Sequence, residues 1–410
     1  MSIDNQLLEK YNVKLYSNEH TTYDIINDFI KNNQNEQPFY IIDIGEIITA
    51  YEKWTTHFPN IKPYYAVKCN PNPVLLTVLN CLGTYFDCAS ENEIKSILEL
   101  TNDPNKIIFA NPCKMSSQIK YARANEVDLM TFDCEDELYK IKLYHPYAKL
   151  ILRLAVDDSK SVCKFNCKFG CKFENIEFLI NILNILKLQL VGFSFHVGSG
   201  CKSVESYYTA IQTCRYAYDI AIKHNMNIHI IDIGGGFPGI YLDNDQVNIE
   251  HIADTINKAQ HDFFSSEITE NKIHFISEPG RYFVEKSHTL ILNVIGKKRE
   301  VVMNDDTKES EETRVYYLND GVYGSFNCIF FDHKIPTILP FNKRNEQKLY
   351  KSKIFGPTCD SIDLISDGTM LPELSIGEWV YVENFGAYTT AASSAFNGFI
   401  TTDFKYILRN

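Results

Sequence analysis

The chain has 410 residues, 45% of them hydrophobic, with 40 Lys and Arg against 52 Asp and Glu and a formal net charge of −12. That acidity excludes the usual nucleic-acid partner, which needs a basic face, while the length and apolar content suit a soluble protein of two domains. The twelve cysteines are scattered along the chain, which fits reduced thiols and not a disulfide framework.

Met1-Ser2-Ile3-Asp4-Asn5 has neither a basic start nor an apolar signal core, so a cytoplasmic location is expected. Residues 1–35 contain no unit of the pattern that follows and are expected to pack on a second domain. From Tyr64 onward, β-branched or aromatic runs recur at 64–68, 85–88, 107–110, 129–133, 149–155, 190–197, 228–233 and 273–278, with helical material between them. Eight strand–helix units over about 220 residues predict a (β/α)8 barrel, a fold usually of ~250 residues. It is assigned to residues 36–282. The longest apolar stretch, Ile176 to Leu190, is broken by Asn181, Asn184 and Lys187, and Ile176, Leu179, Ile180, Leu183 and Leu186 follow helical spacing. An amphipathic helix is expected there, not a membrane span. Cys163, Cys167 and Cys171 lack the Cys-x2-Cys spacing of zinc sites and alternate with Lys164, Lys168 and Lys172; an exposed basic strip without metal is expected. After Pro279 the pattern turns to strands without regular helices, among them 289–294, 314–318 and 378–383, which predicts a sandwich-like all-β domain over 283–410. The Asn-rich stretch 32–36 and the charged stretch 304–312 are expected to be mobile, and neither is assigned a function.

Chemistry in such a barrel gathers at the C-terminal ends of the strands. The runs place Lys68, Asp87, Arg153, His196, the triplet Gly234-Gly235-Gly236 and Glu278 there. Each has a structural alternative: Asp87 a turn residue, Glu93 the far end of a capping box with Ser90, His196 a bonded core residue, Arg153 half of an ion pair. Six coincidences at one rim favour a site. A Lys at the end of an apolar strand is expected to lose hydration and so become a nucleophile toward a carbonyl. Three residues without Cβ let backbone N–H groups approach an anion, and Arg281 is spaced to add a bidentate partner for phosphate. A reactive amine, a phosphate cradle and an acid on the next strand describe pyridoxal 5′-phosphate, with Glu278 ionised at the ring nitrogen and His196 against the ring face.

The segments Tyr65-Ala66-Val67-Lys68-Cys69-Asn70, Phe86-Asp87-Cys88-Ala89-Ser90, Phe195-His196-Val197-Gly198-Ser199-Gly200, Asp232-Ile233-Gly234-Gly235-Gly236-Phe237 and Ser277-Glu278-Pro279-Gly280-Arg281 carry a family resemblance. Asn319 to Asn327, Gly356-Pro357-Thr358-Cys359-Asp360 and Glu383 to Thr389 extend it along nearly the whole chain. The sequence resembles the eukaryotic ornithine decarboxylase family, pyridoxal-phosphate enzymes of the alanine-racemase fold. That resemblance implies Lys68 in an imine with the cofactor, Glu278 at the pyridine nitrogen, His196 stacked on the ring and Arg153 near the phenolic oxygen. It implies Ser199, Gly236, Arg281 and Tyr388 on the phosphate, and Asp87 and Glu93 as partners of the released Lys68. It further implies Asp332 and Asp360 at the distal ammonium of a diamino acid, with Tyr323 and Phe331 in the substrate pocket, and Cys359 as the proton donor to the α-carbon. In this family Cys359 and Asp360 come from the neighbouring subunit, which implies a homodimer with shared active sites.

Where the family usually has Tyr-Asp-His, this chain has Phe331-Asp332-His333. One lost hydroxyl is worth roughly 1 kcal/mol, and it leaves ornithine, lysine and arginine open as substrates. A regulatory homologue like the antizyme inhibitors is the reading from another class; the presence of Lys68, Arg281, Tyr388, Cys359 and Asp360 favours catalysis. An antizyme-like regulator is a conceivable partner. The chain stops at Asn410, so degradation signalled by a long C-terminal tail is not expected.

Overall fold

The structure, a computed structural model, describes residues 5–32, 35–240, 247–303, 310–342, 348–399 and 402–409. Residues 33–34 and 304–309, parts of the two segments expected to be mobile, lie outside these, while 310–312 of the second segment open the paired strand Ser310–Leu318. The chain divides into two compact units, Ile48–Phe283 and Ser2–Ile47 together with Val284–Asn410.

The first unit is a closed ring of eight parallel strands: β1 (Ile61–Ala66), β2 (Tyr85–Cys88), β3 (Ile107–Phe109), β4 (Leu129–Phe132), β5 (Lys149–Arg153), β6 (Gln189–Ser194), β7 (Ile230–Asp232) and β8 (His274–Ser277). A helix follows each of the first seven strands: α1 (Pro73–Leu82), α2 (Glu91–Thr101), α3 (Ser116–Ala124), α4 (Glu135–Tyr144), α5 (Ile176–Leu186), α6 (Glu205–Lys223) and α7 (Ile249–Thr269). Strands buried on both faces read as continuous apolar runs, as in Leu150-Ile151-Leu152, all fully buried. Tyr64, Ile108, Ile151, Val191 and Ile276 meet inside the ring and fill it with side chains, so the barrel is a packed core whose upper mouth alone is open to chemistry.

The helices begin and end where local chemistry dictates. Asn72 caps α1 by accepting the N–H groups of Val74 and Leu75 at 3.0 and 3.2 Å, Pro73 sits in the first turn, and Gly83 at φ 93° ends it. The expected amphipathic helix is α5, with Ile176, Leu179, Ile180 and Leu183 buried; Lys187 in left-handed backbone closes it. Among the described residues, no helix is long and apolar enough to cross a membrane.

The second unit is mostly β. Its main path runs Lys14–Tyr16, Asp403–Arg409, Phe39–Asp43, His288–Met303, Ser310–Leu318, Leu349–Phe355, Leu364–Pro372, with Leu339–Pro340 and Trp379–Val382 paired beside it. One face is closed by the helix Thr22–Asn32, whose Ile25, Ile26 and Phe29 pack on Phe39, Ile41, Ile291, Phe341 and Ile407. Here the structure departs from the expected boundary at residue 36. Phe39–Asp43 pairs antiparallel with His288–Met303 and parallel with Asp403–Arg409, so 36–47 belong to the β unit; the run Phe39-Tyr40-Ile41-Ile42 is buried as a central strand of that sheet.

Candidate active site

Asp87 and Arg153 lie on β2 and β5, while Lys68, His196, the glycine triplet and Glu278 stand just beyond their strands. Lys68 lies in a one-turn 3-10 helix, Val67–Cys69, after β1; His196 comes two residues after β6 and Glu278 one after β8. The turn holding Lys68 is built by its neighbours: the Tyr65 hydroxyl donates to Asn70 O at 3.0 Å, and the Asn70 side chain, fully buried, accepts the Asn72 N–H at 3.1 Å. The expectation that burial desolvates Lys68 needs correction. Its side chain is 41% exposed, and Nζ is held by an ion pair of 2.6 Å to Asp87 Oδ2 on β2, whose side chain is fully buried. The second Asp87 oxygen has no partner among the described residues.

Glu93 takes up the structural role weighed for it, at the start of α2. Its backbone N–H donates to Ser90 Oγ at 3.4 Å, which caps α2, and its Oε2 accepts the N–H of Ala89, one residue before the cap, at 2.6 Å. Burial holds its carboxyl above the usual range, Asp87 adds to this and Lys68 opposes it, so it faces the Lys68–Asp87 pair as well.

His196 Nδ1 accepts the Gly198 N–H at 2.9 Å, which leaves any ring proton on Nε2. Burial first, then Arg153 and Lys68, hold its pKa well below the ordinary histidine value, so the imidazole is neutral. Phe165 meets it edge-on at 5.0 Å. Arg153, the last residue of β5, lies over Phe169 and has its Nε buried without a partner among the described residues. A small cavity at this rim is lined by Ala110, Thr131, Arg153, Ser194, His196 and Glu278.

The glycine loop after β7 is a cradle that no side chain could share. Gly234 has φ 63°, and a Cβ there would meet Phe195 O at 2.1 Å; at Gly235 it would meet Glu278 O at 2.8 Å and His196 Nε2 at 2.9 Å; at Gly236, φ 105°, Gly198 O and the Tyr207 hydroxyl at 2.8 Å. Arg281 Nη2 donates to Ser199 Oγ at 3.2 Å. The structure therefore gathers Ser199, the three glycines and Arg281, with the Tyr207 hydroxyl bonded to Gly235 O at 3.2 Å as a support that sequence spacing did not single out. The Gly234 N–H is taken by Asp232 Oδ1 at 2.9 Å, so an anion at this loop would draw on Arg281 and the other loop N–H groups.

Glu278 is anchored by its N–H to Gly234 O at 2.7 Å, while its Oε1 is shut from solvent without a partner among the described residues. Burial, then Asp232, then Asp87 push its carboxyl well above the usual range, with Lys68 opposing. The ionised form expected from sequence thus needs a cationic partner. A protonated ring nitrogen meets that need, and the Cβ-free loop meets the need of a phosphate: the residues present fit pyridoxal phosphate.

The remaining candidates lie in the β unit. Tyr323 donates a short hydrogen bond to Asp360 Oδ2, and Asp360 Oδ1 accepts the Ile362 N–H at 3.0 Å; these bonds hold the carboxyl below its ordinary range. Exposed Cys359 is fixed through its N–H to Asn397 Oδ1 at 3.0 Å, and Phe396 stacks on Tyr323 at 4.2 Å. Buried Asp363 organises this group, accepting the Val322 N–H at 2.8 Å, the Thr358 N–H at 2.9 Å and the Thr358 hydroxyl at 2.7 Å. Asp332 is buried at the end of the short helix Cys328–Phe331, with Phe331 70% exposed beside it. Tyr388 is half-buried at φ 55°. Asp363 and Asn397 escaped the sequence reading because an Asp or Asn in a loop looks like turn punctuation until its acceptors are seen in three dimensions.

A family model described as the pyridoxal-dependent decarboxylase, pyridoxal binding domain, matches residues 44–285. Ornithine decarboxylase of Rattus norvegicus is 41% identical over 408 residues, covering 98% of this chain and 87% of that protein. Antizyme inhibitor 2 of Xenopus laevis is 41% identical over 388 residues, covering 94% and 84%. Among solved structures, the arginine decarboxylase of Paramecium bursaria Chlorella virus, bound to agmatine, superposes with a TM-score of 0.86 at 35% identity, covering 94% of this chain and 100% of that one.

Proposed function

The chain belongs to the pyridoxal-dependent decarboxylases, and from that premise we propose that it removes the α-carboxyl of L-ornithine as carbon dioxide, leaving putrescine, the entry step of polyamine synthesis. The observation that carries the substrate assignment is the carboxylate of Asp360, oriented by Tyr323 and kept ionised. A diamino acid needs such an acid at a fixed distance from its reacting carbon, and a site built around it rejects substrates without the far amine. The 41% identity to a protein named ornithine decarboxylase supports the same reading.

Bound pyridoxal phosphate supplies an electron sink for the charge left behind when the carboxyl departs. Lys68 would hold its aldehyde, Glu278 would keep the ring nitrogen protonated, neutral His196 would lie against the ring face and Arg153 would serve the phenolic oxygen. Ser199, Gly234, Gly235, Gly236, Arg281 and Tyr388 bind the phosphate. Asp87 and Glu93 receive the Lys68 amine on its release, a role supported by the 2.6 Å pair already in place. Asp332 and Asp360 take the distal ammonium, Tyr323 and Phe331 shape the pocket around it, and the Cys359 thiol delivers a proton to the α-carbon. Cys359 and Asp360 serve the active site of the neighbouring subunit, which makes the working unit a cytoplasmic homodimer; an antizyme-like regulator is a further partner.

A second reading keeps the chemistry and changes the substrate to lysine or arginine, favoured by Phe331, which lacks a hydroxyl beside Asp332. Release of labelled carbon dioxide from ornithine, lysine, arginine and diaminopimelate decides between them. Turnover of ornithine with the highest kcat/KM is expected; turnover of only lysine or arginine overturns the substrate assignment, and no turnover of any favours a regulatory homologue.

A further inference from the structure

Asp232 closes β7 immediately before the glycine loop, with its side chain wholly buried. Its Oδ1 accepts the Gly234 N–H at 2.9 Å, an ordinary turn-capping bond. Its Oδ2 meets no donor among the described residues, and neither does Oε1 of Glu278, while the two carboxyls lie within hydrogen-bonding reach of each other. A turn cap uses one oxygen; burying the second unsatisfied costs free energy that a cap alone does not explain. The neighbours of the pair are Asp87 on β2, Lys68 beyond β1, Arg153 on β5, Tyr64 on β1 and Cys214 on α6.

Burial raises both carboxyls, and each feels the other. Two ionised carboxylates have no donor between them and repel; one proton turns the contact into a hydrogen bond. We propose that Asp232 is a positioning residue for Glu278: the two acids share one proton, which turns the Glu278 carboxyl so that Oε1 meets the cofactor's ring nitrogen and keeps that oxygen basic. The inference rests on the reading that Glu278 is the partner of that nitrogen. The shared proton and the proton on the ring nitrogen are distinct. When the shared proton leaves at higher pH, the added negative charge holds the ring proton more tightly, an effect an amide at 232 cannot supply.

The holoenzyme carrying pyridoxal phosphate labelled with 15N in its ring gives the test, because the nitrogen chemical shift reports protonation independently of activity. Asp232→Asn keeps an oxygen for the Gly234 N–H. In that variant the ring nitrogen is expected to lose its proton at least about one pH unit lower than in the parent protein, a tenfold change in proton affinity, and Glu278→Gln is expected to lower it further. If Glu278→Gln shifts the titration and Asp232→Asn does not, Asp232 is only a turn cap and the proposal falls. If Glu278→Gln leaves the titration unmoved, the assignment of Glu278 itself falls. Should Asp232→Asn not fold, Asp side chains labelled with 13C in the parent and in Glu278→Gln holoenzymes give the same answer: the Asp232 carboxyl is expected to titrate at a different pH in the variant, and an unmoved titration overturns the shared proton.

Discussion

Lys68 is controlled by an ion pair and a turn, not by burial, and this sets what its replacement does. Lys68→Ala removes the amine yet leaves Tyr65 and Asn70 to hold the turn, so the variant is expected to fold and to show no visible imine absorbance with pyridoxal phosphate; a retained band in the purified variant would contradict the role. Cys359→Ala, by contrast, alters an exposed thiol whose loop is tied by its backbone N–H, so the cofactor spectrum should persist while protonation at the α-carbon slows or goes astray, read from the product mixture. At this scale the sequence revealed residue types well and surroundings poorly. Lys68, Arg153, His196, Glu278 and the glycines announced themselves by falling at the ends of apolar runs. The exposure of Lys68 and the second acid at Asp232 did not, because neither depends on spacing: they follow from which side chains the ring brings opposite each other.

Elements explain why some single changes reach further than their size. Gly235→Ala would place a methyl 2.9 Å from His196 Nε2 and 2.8 Å from Glu278 O, displacing the imidazole proposed to face the cofactor. Its affinity for pyridoxal phosphate is expected to fall at least about tenfold, about 1.4 kcal/mol, measured by spectral titration, with little change in the far-ultraviolet circular dichroism. Asp363→Ala leaves the buried Val322 donor and the half-buried Thr358 donors without acceptors, which costs about 3 kcal/mol of stability in urea denaturation; loosening the loop that presents Asp360 should raise KM for the diamino acid more than it lowers kcat. The eight strands were legible because buried parallel strands announce themselves as short apolar runs, whereas Phe39–Asp43 reads identically and yet joins the other sheet. A run of apolar residues says that a strand is buried but not by which sheet, and only its pairing with His288–Met303 and Asp403–Arg409 decides that.

For the whole molecule, acid is the expected weak point. His288 is fully buried, accepts or donates at Ser287 Oγ over 2.8 Å, and burial lowers its pKa to about 3. The folded chain keeps it neutral while the unfolded chain protonates it below about 6.5, so its contribution to stability is complete above that pH and falls by up to roughly 1.4 kcal/mol per pH unit as pH drops toward 3. His288→Gln should therefore flatten the decline of the urea midpoint between pH 7 and 4.5 relative to the parent; parallel slopes would contradict it. Assembly has its own test. Inactive Lys68→Ala mixed with Cys359→Ala should regain roughly a quarter of parental activity through hybrid dimers if each active site draws on both chains, and no recovery would exclude shared sites. The lock formed by Gly321, Gly356 and Asp363 has a longer reach. A Cβ on either glycine would lie within 2.3 Å of an Asp363 oxygen, so neither accepts a side chain while Asp363 keeps its place. Descendants of this chain that acquire a taste for a longer or shorter diamine should therefore carry the trio unaltered and do their tinkering on exposed side chains outside it, Phe331 first.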